Sequence, residues 1–170
     1  MFKKSWVFPE DMNDILTIIG ITFIPFLELR ASIPYGLFQT DLSALSVFSI
    51  AVISNILLGV ILYWFLNNLV HIFLRNEFIN KIYQRKVIKL QQHIQKYVTR
   101  YGLLGLAIFI GVPLPGSGVY SAALGAYVLG FKFKDYLLAT ILGVLIAGII
   151  VMLVSTAGNS TWDFLIKVIW

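Results

Sequence analysis

Four apolar segments follow one another along the chain, and two of them are interrupted near the middle by proline together with small or charged residues. The first interrupted segment covers residues 15–38 and contains Pro25-Phe-Leu-Glu28-Leu-Arg30-Ala-Ser32-Ile-Pro34. The second covers residues 102–130 and contains Val112-Pro113-Leu-Pro115-Gly116-Ser117-Gly118. Each is followed by an unbroken apolar run, residues 42–66 and 136–157. A bilayer-crossing helix needs about 20 apolar residues. The unbroken runs meet that length, whereas the arms of the interrupted segments, residues 15–27 and 103–110, do not. Short arms joined by a breaker predict helical hairpins that enter and leave the membrane on one side. The expected fold is therefore an all-α integral membrane protein forming a single domain over residues 1–170. A first repeat (15–74) has a re-entrant hairpin at 15–38 and a transmembrane helix at 42–66. A basic connector (75–101) leads to a second repeat (102–157), with a hairpin at 102–130 and a transmembrane helix at 136–157. Threading the chain through these elements gives the two repeats opposite orientation, an inverted repeat. A shift of 88 positions sets Pro25 on Pro113 and Asn55 on Gly143, with Glu28 and Arg30 facing Gly116 and Gly118. Only the first half keeps its charges.

Composition agrees with lipid as the main solvent: 59% of residues are hydrophobic and 12% are charged, against about 25% charged in soluble domains. The net charge of +5 is concentrated in the connector, where Arg75, Lys81, Arg85, Lys86, Lys89, Lys96 and Arg100 face only Glu77. Short basic loops remain cytoplasmic, which orients the chain and brings Lys132 and Lys134 to the same side. Ile82, Ile88, Ile94 and Val98 give the connector a partly amphipathic character suited to lying on anionic headgroups, a solvated charged linker being the equal alternative. Membrane lipids, not nucleic acid, are its expected partners. Residues 1–14 carry three acidic residues beside two lysines and are not expected to act as a secretory signal. Cysteine is absent, which removes disulfides, thiolate metal sites and a cysteine nucleophile. His71 and His93 are isolated. Neither a cofactor nor a metal is expected, and with no nucleophile and base in a recognisable motif the chain is not expected to be an enzyme. Trp6, Trp162 and Trp170 read as interfacial anchors.

Glycine- or proline-interrupted apolar segments in corresponding positions of two halves are the best sequence pointer to a transporter's binding site. A charge at the bilayer centre costs roughly 2.5–3.5 kcal/mol on insertion scales, so Glu28 and Arg30 should face a polar interior or each other. In an extended segment between Pro25 and Pro34 the two would share a side; the competing role is an ion pair that pins the hairpin. Ser32 and Ser117 stand where helix N-caps would follow the breakers, and Gly130 where the later half-helix would stop. Helix N-termini attract anions, and the Arg30 guanidinium suits phosphate or carboxylate. Candidate substrate or ion-binding residues are thus Glu28, Arg30, Ser32, Pro34, Asn55, Pro113, Pro115, Gly116, Ser117 and Gly118. Asn55 stands in mid-span, and Gly143, Ala147 and Gly148 form a small-residue stripe suited to helix packing. Two spans and two hairpins enclose a polar site poorly, so a homo-oligomer is expected, a dimer joined through that stripe.

The strings from Pro25 to Gly36 and from Val112 to Leu124, with their E-x-R-x-x-I-P and P-L-P-G-[ST]-G patterns, closely resemble the prokaryotic family labelled putative small multidrug export proteins. The resemblance covers nearly the whole chain and implies a relation to the DedA or VTT superfamily, whose members look like re-entrant-loop proteins and include undecaprenyl phosphate carriers and lipid scramblases. Val119-Tyr120 departs from the Ala-Trp-like pair expected after the second motif. Taken together, the expected function is a small secondary transporter or flippase of the prokaryotic cytoplasmic membrane. It would move an anionic or lipid-phosphate substrate, with Glu28 as candidate proton carrier. A passive channel or lipid scramblase is the first alternative, and export of small molecules, as the family label suggests, the second.

Overall fold

The computed structural model describes residues 10–73, 102–113 and 117–157. Among them the regular elements are six helices: α1 (Glu10–Phe23), α2 (Glu28–Gln39), α3 (Ala44–Phe73), α4 (Leu103–Gly111), α5 (Val119–Leu129) and α6 (Phe133–Ala157). The connector at 75–101, Pro115, Gly116, His93 and the three expected tryptophan anchors lie outside the described residues.

A short helix, a break, a second short helix and a long helix occur in that order twice. α1 ends at Phe23 and α4 at Gly111, while α3 starts at Ala44 and α6 at Phe133, so the 88-position shift holds to within one residue at both landmarks. α1 packs on α2 and α4 on α5, which makes each interrupted segment a helical hairpin. Proline sets the end of α4: Val112 precedes Pro113 and is extended (φ −81°, ψ 115°), because the proline ring disfavours helical backbone in the residue before it. Gly130 ends α5 with φ 73°, and Phe131 N–H reaches back to the Ala126 carbonyl at 2.9 Å, the hydrogen bond of a glycine-terminated helix. α3 begins where Ser43 Oγ accepts from Ser46 N–H at 3.2 Å, an N-cap. It continues past the apolar run through Asn67 and Asn68 to Phe73, since polarity ends a span without ending a helix.

The first hairpin differs from expectation. Its break is confined to residues 24–27, and α2 starts at Glu28 and runs through Pro34, so Glu28, Arg30, Ser32 and Pro34 are helical instead of unwound. Packing explains why the proline is tolerated. Leu29, Ile33 and Gly36 are buried in α2 at the spacing of one helix face. A Cβ on Gly36 would lie 2.5 Å from Val47 Cγ1 and 3.0 Å from Ile18 Cδ1, so α1, α2 and α3 converge there.

The chain forms two compact units, one comprising Met1–Ser54 with Gly148–Trp170 and the other Asn55–Ala147. In the first, Gly148 approaches Phe48 and Val52 of α3. In the second, Gly143 of α6 meets Ile110 and the Ala107 carbonyl of α4, and Gly59 of α3 meets Thr140 of α6 and Val119 of α5. Gly143, Ala147 and Gly148 are all buried, which corrects the expectation that their stripe is a face for dimer contact: the helices of the chain itself cover it.

α3 and α6 are the two helices long and apolar enough to cross a membrane. Ile53, Leu57, Ile61 and Phe65 of α3, and Leu138, Leu142, Ile146, Ile149 and Leu153 of α6, are exposed, whereas Ser54, Asn55, Thr140 and Ser155 are buried. Exposed apolar stripes over buried polar side chains reverse the arrangement of a water-soluble amphipathic helix and match a lipid-facing exterior.

Candidate functional site

Glu28 sits at the start of α2, 4% exposed, the one buried charged side chain among the described residues. The turn before it presents Ile24, Phe26 and Leu27 outward. Backbone φ is 70° at Phe26 and 47° at Glu28, a left-handed conformation that costs a non-glycine residue of order 1–3 kcal/mol and clusters at functional sites. Arg30 is half-buried in the first turn of α2. Residues two apart in a helix do not face one another, so the extended segment expected to aim both side chains one way is replaced by a helical turn. Burial strips solvent from the Arg30 guanidinium, and the attraction of the Glu28 carboxylate opposes that larger effect.

Ser32 is not an N-cap but lies within α2, fully buried. Its hydroxyl is 2.7 Å from Thr22 Oγ1, which is itself 2.8 Å from the Ile18 carbonyl oxygen. The single Thr22 hydroxyl proton is thus within donating distance of two acceptors, the Ile18 carbonyl and the Ser32 hydroxyl. This pair ties α1 to α2 inside the hairpin. Pro34 is half-buried one turn beyond Arg30 and supplies no N–H for the Arg30 carbonyl.

The second break is neutral and built differently. Ser117 does not cap α5; its hydroxyl donates instead to the Val112 carbonyl at 2.5 Å, closing the break on itself. Gly118 takes the N-cap position, extended and without a side-chain cap. Pro113 is half-buried at the mouth of this loop, and Gly118 is buried. Glu28, Arg30, Ser32 and Pro34 belong to one compact unit, and Asn55, Pro113, Ser117 and Gly118 to the other.

Asn55 is 1% exposed, and neither its Oδ1 nor its Nδ2 has a hydrogen-bond partner. Thr140, missed by the sequence reading, is fully buried with its Oγ1 equally unpartnered. Nearby, Tyr136 donates its hydroxyl to the Gly59 carbonyl at 3.1 Å and stacks on Tyr63 at 4.9 Å between centroids. Tyr63 in turn donates to the Phe131 carbonyl at 2.9 Å. A lone threonine in an apolar run carries no periodic signal that could have marked it.

Two helices of membrane-crossing length, each preceded by a short helical hairpin, with a carboxylate and a guanidinium buried or half-buried in one hairpin, define a small all-helical membrane protein. The chain belongs to the family described as "Putative small multi-drug export protein", whose model matches residues 28–150. The matched range opens on Glu28, directly after the first break, and takes in the second. Neither a curated protein nor a solved structure shows significant similarity to the chain.

Proposed function

We propose that the protein is a small secondary transporter or flippase that moves an anionic or lipid-phosphate substrate across the prokaryotic cytoplasmic membrane, with Arg30 holding the anionic group and Glu28 carrying a coupling proton. The observation that supports this most directly is the buried Glu28 carboxylate, two residues before half-buried Arg30, in an apolar hairpin. Ionisable groups at membrane depth mark substrate or proton pathways. The export label of the family supports transport while leaving the substrate open to small molecules of other classes. On this reading the two hairpins are re-entrant and the two halves inverted, with the 75–101 connector cytoplasmic and the chain multi-pass. The kinship to DedA or VTT proteins belongs to the same proposal, as do the lack of enzymatic activity, the absence of a nucleic-acid partner and assembly as a homo-oligomer through a face other than the Gly143 stripe. A passive channel or lipid scramblase is the second reading, favoured by the small size of the polar inventory.

Proteoliposomes test the proposal. Uptake of a fluorescent phosphate-bearing lipid should respond to an imposed pH gradient. Glu28→Gln should abolish that response while leaving lipid binding, and Arg30→Lys should weaken binding because the bidentate fork is lost. If the charges only pin the hairpin, each single variant lowers thermal stability and the double neutral variant recovers it. A Glu28→Gln, Arg30→Gln protein that is both stable and fully active overturns the transport roles, and activity indifferent to the gradient selects the passive reading.

A further inference from the structure

We propose that Asn55 and Thr140 form an internal water-binding site within the Asn55–Ala147 unit, a hydrated point between the two long helices that is separate from the Glu28 and Arg30 pair. Three buried polar atoms carry the proposal: Asn55 Oδ1, Asn55 Nδ2 and Thr140 Oγ1, none with a hydrogen-bond partner, on side chains 1% and 0% exposed. Buried polar groups are ordinarily satisfied, and an orphaned one calls for an occupant or an explanation. The two side chains stand on helices that meet at Gly59. Thr140 Cγ2 and Val119 Cγ1 each lie 3.0 Å from where a Gly59 Cβ would stand, and Asn55 is one turn from Gly59 on the same helix face. Tyr63 stacks on Tyr136 as Gly59 meets Thr140, so α3 and α6 run antiparallel in this unit. Asn55 therefore faces the turn of α6 that follows Thr140, where Val144 is fully buried.

The chemistry of the three atoms selects the ligand. A hard cation such as calcium takes about 6–8 oxygen ligands, and two side-chain oxygens beside valine methyls fall far short. For an anion, Asn55 and Thr140 offer only neutral donors, and the Tyr136 hydroxyl is already given to Gly59. Water both donates and accepts, and a buried water makes about three hydrogen bonds to otherwise unsatisfied groups. The site offers that number: the amide Nδ2 as donor, the amide Oδ1 as acceptor, and the Thr140 hydroxyl as either.

Thermal unfolding and radiolytic footprinting of the full chain in nanodiscs test the proposal together. With water in place, Asn55→Leu and Thr140→Val each remove one side of a satisfied network and should lower Tm by about 2–4 °C. The double variant should fall by less than the two shifts combined, because the second change then acts on a dry site. Without water, each apolar replacement removes an orphaned polar group and raises Tm. A rise in either single variant overturns the proposal. In the unaltered protein, X-ray pulses should oxidise fully buried Tyr136 or Val144 through hydroxyl radicals formed from the local water. Thr140→Ser, which keeps the hydroxyl, should retain that labelling even where Asn55→Leu does not fold. Absence of labelling at both residues in the unaltered protein overturns the proposal as well.

Discussion

Gly143→Ala adds one methyl group at the tightest backbone approach in the Asn55–Ala147 unit. The new Cβ would stand 2.6 Å from Ile110 Cβ, 2.7 Å from the Ala107 carbonyl oxygen and 2.9 Å from Ile110 Cγ2. Comfortable carbon contacts lie at about 3.5–4.0 Å, so α4 must retreat from α6 by roughly 1 Å. No side-chain rearrangement relieves the clash, because one contact is backbone and another is a Cβ that every residue except glycine carries. Overpacking of this kind costs about 1–3 kcal/mol, against a gain of about 1 kcal/mol from replacing a mid-helix glycine by alanine. Gly125→Ala separates the two effects. Nothing lies within 4 Å of a Cβ there, so that variant receives the helix-propensity gain alone. The difference between the variants isolates the steric cost of about 1–3 kcal/mol, which corresponds to a Tm gap of roughly 3–10 °C in a chain of this size. Thermal unfolding in nanodiscs, followed by fluorescence-detected size exclusion, measures it. A Gly143→Ala protein as stable as Gly125→Ala would refute the packing of α4 on Gly143. Unchanged monomer stability with a shift in oligomeric state would return the glycine stripe to the role of an assembly face.

Tyr136→Phe removes the donor to the Gly59 carbonyl and should cost about 1 kcal/mol, read as a Tm drop that Tyr136→Leu exceeds because the stacking on Tyr63 goes too. The chain contains no cysteine, so single cysteines at Thr40, Lys89 and Lys134 can report sidedness directly. The positive-inside rule predicts labelling of Lys89 and Lys134 from the cytoplasmic face and of Thr40 from the opposite face; Thr40 and Lys89 labelled from one side would exclude a single crossing by α3.

Length and punctuation made the order of elements legible. Runs of about 20 apolar residues between proline- or glycine-rich breaks leave little alternative to two long helices and two hairpins. Val112 and Gly130 ended their helices where local chemistry requires. The interior of the first break was less legible because two local signals were overridden. Pro34 ordinarily costs a helix about 3 kcal/mol, yet the buried face of Leu29, Ile33 and Gly36 against Ile18 and Val47 holds α2 through it. Ser32 and Ser117 looked like caps, but a hydroxyl beside a breaker has several backbone and side-chain partners within reach. Ser32 joined Thr22 and Ser117 turned back to Val112. Which partner wins depends on tertiary placement, which a local pattern does not contain.

The two breaks occupy equivalent places in the repeated succession of helices, yet they are chemically unlike. In the first, left-handed backbone at Phe26 and Glu28 delivers a carboxylate into a buried position, and Arg30 follows within the same turn of helix. In the second, a serine hydroxyl closes a neutral loop and the next helix starts at an uncapped glycine. A chain that needed the breaks only to turn back within the membrane would have no use for the difference, because Pro113 and Gly118 turn without charge. Burying a carboxylate is a cost that the neutral sequence of the second break does not carry, so its presence in one half alone favours a role for Glu28 and Arg30 that exceeds making a turn. Grafting neutrality onto the first break is therefore the informative direction of change. Glu28→Gln is the change to make first, because the amide keeps the size and hydrogen-bonding capacity of the 4% exposed side chain while removing its charge, so loss of transport in a folded Glu28→Gln protein reports on the charge itself.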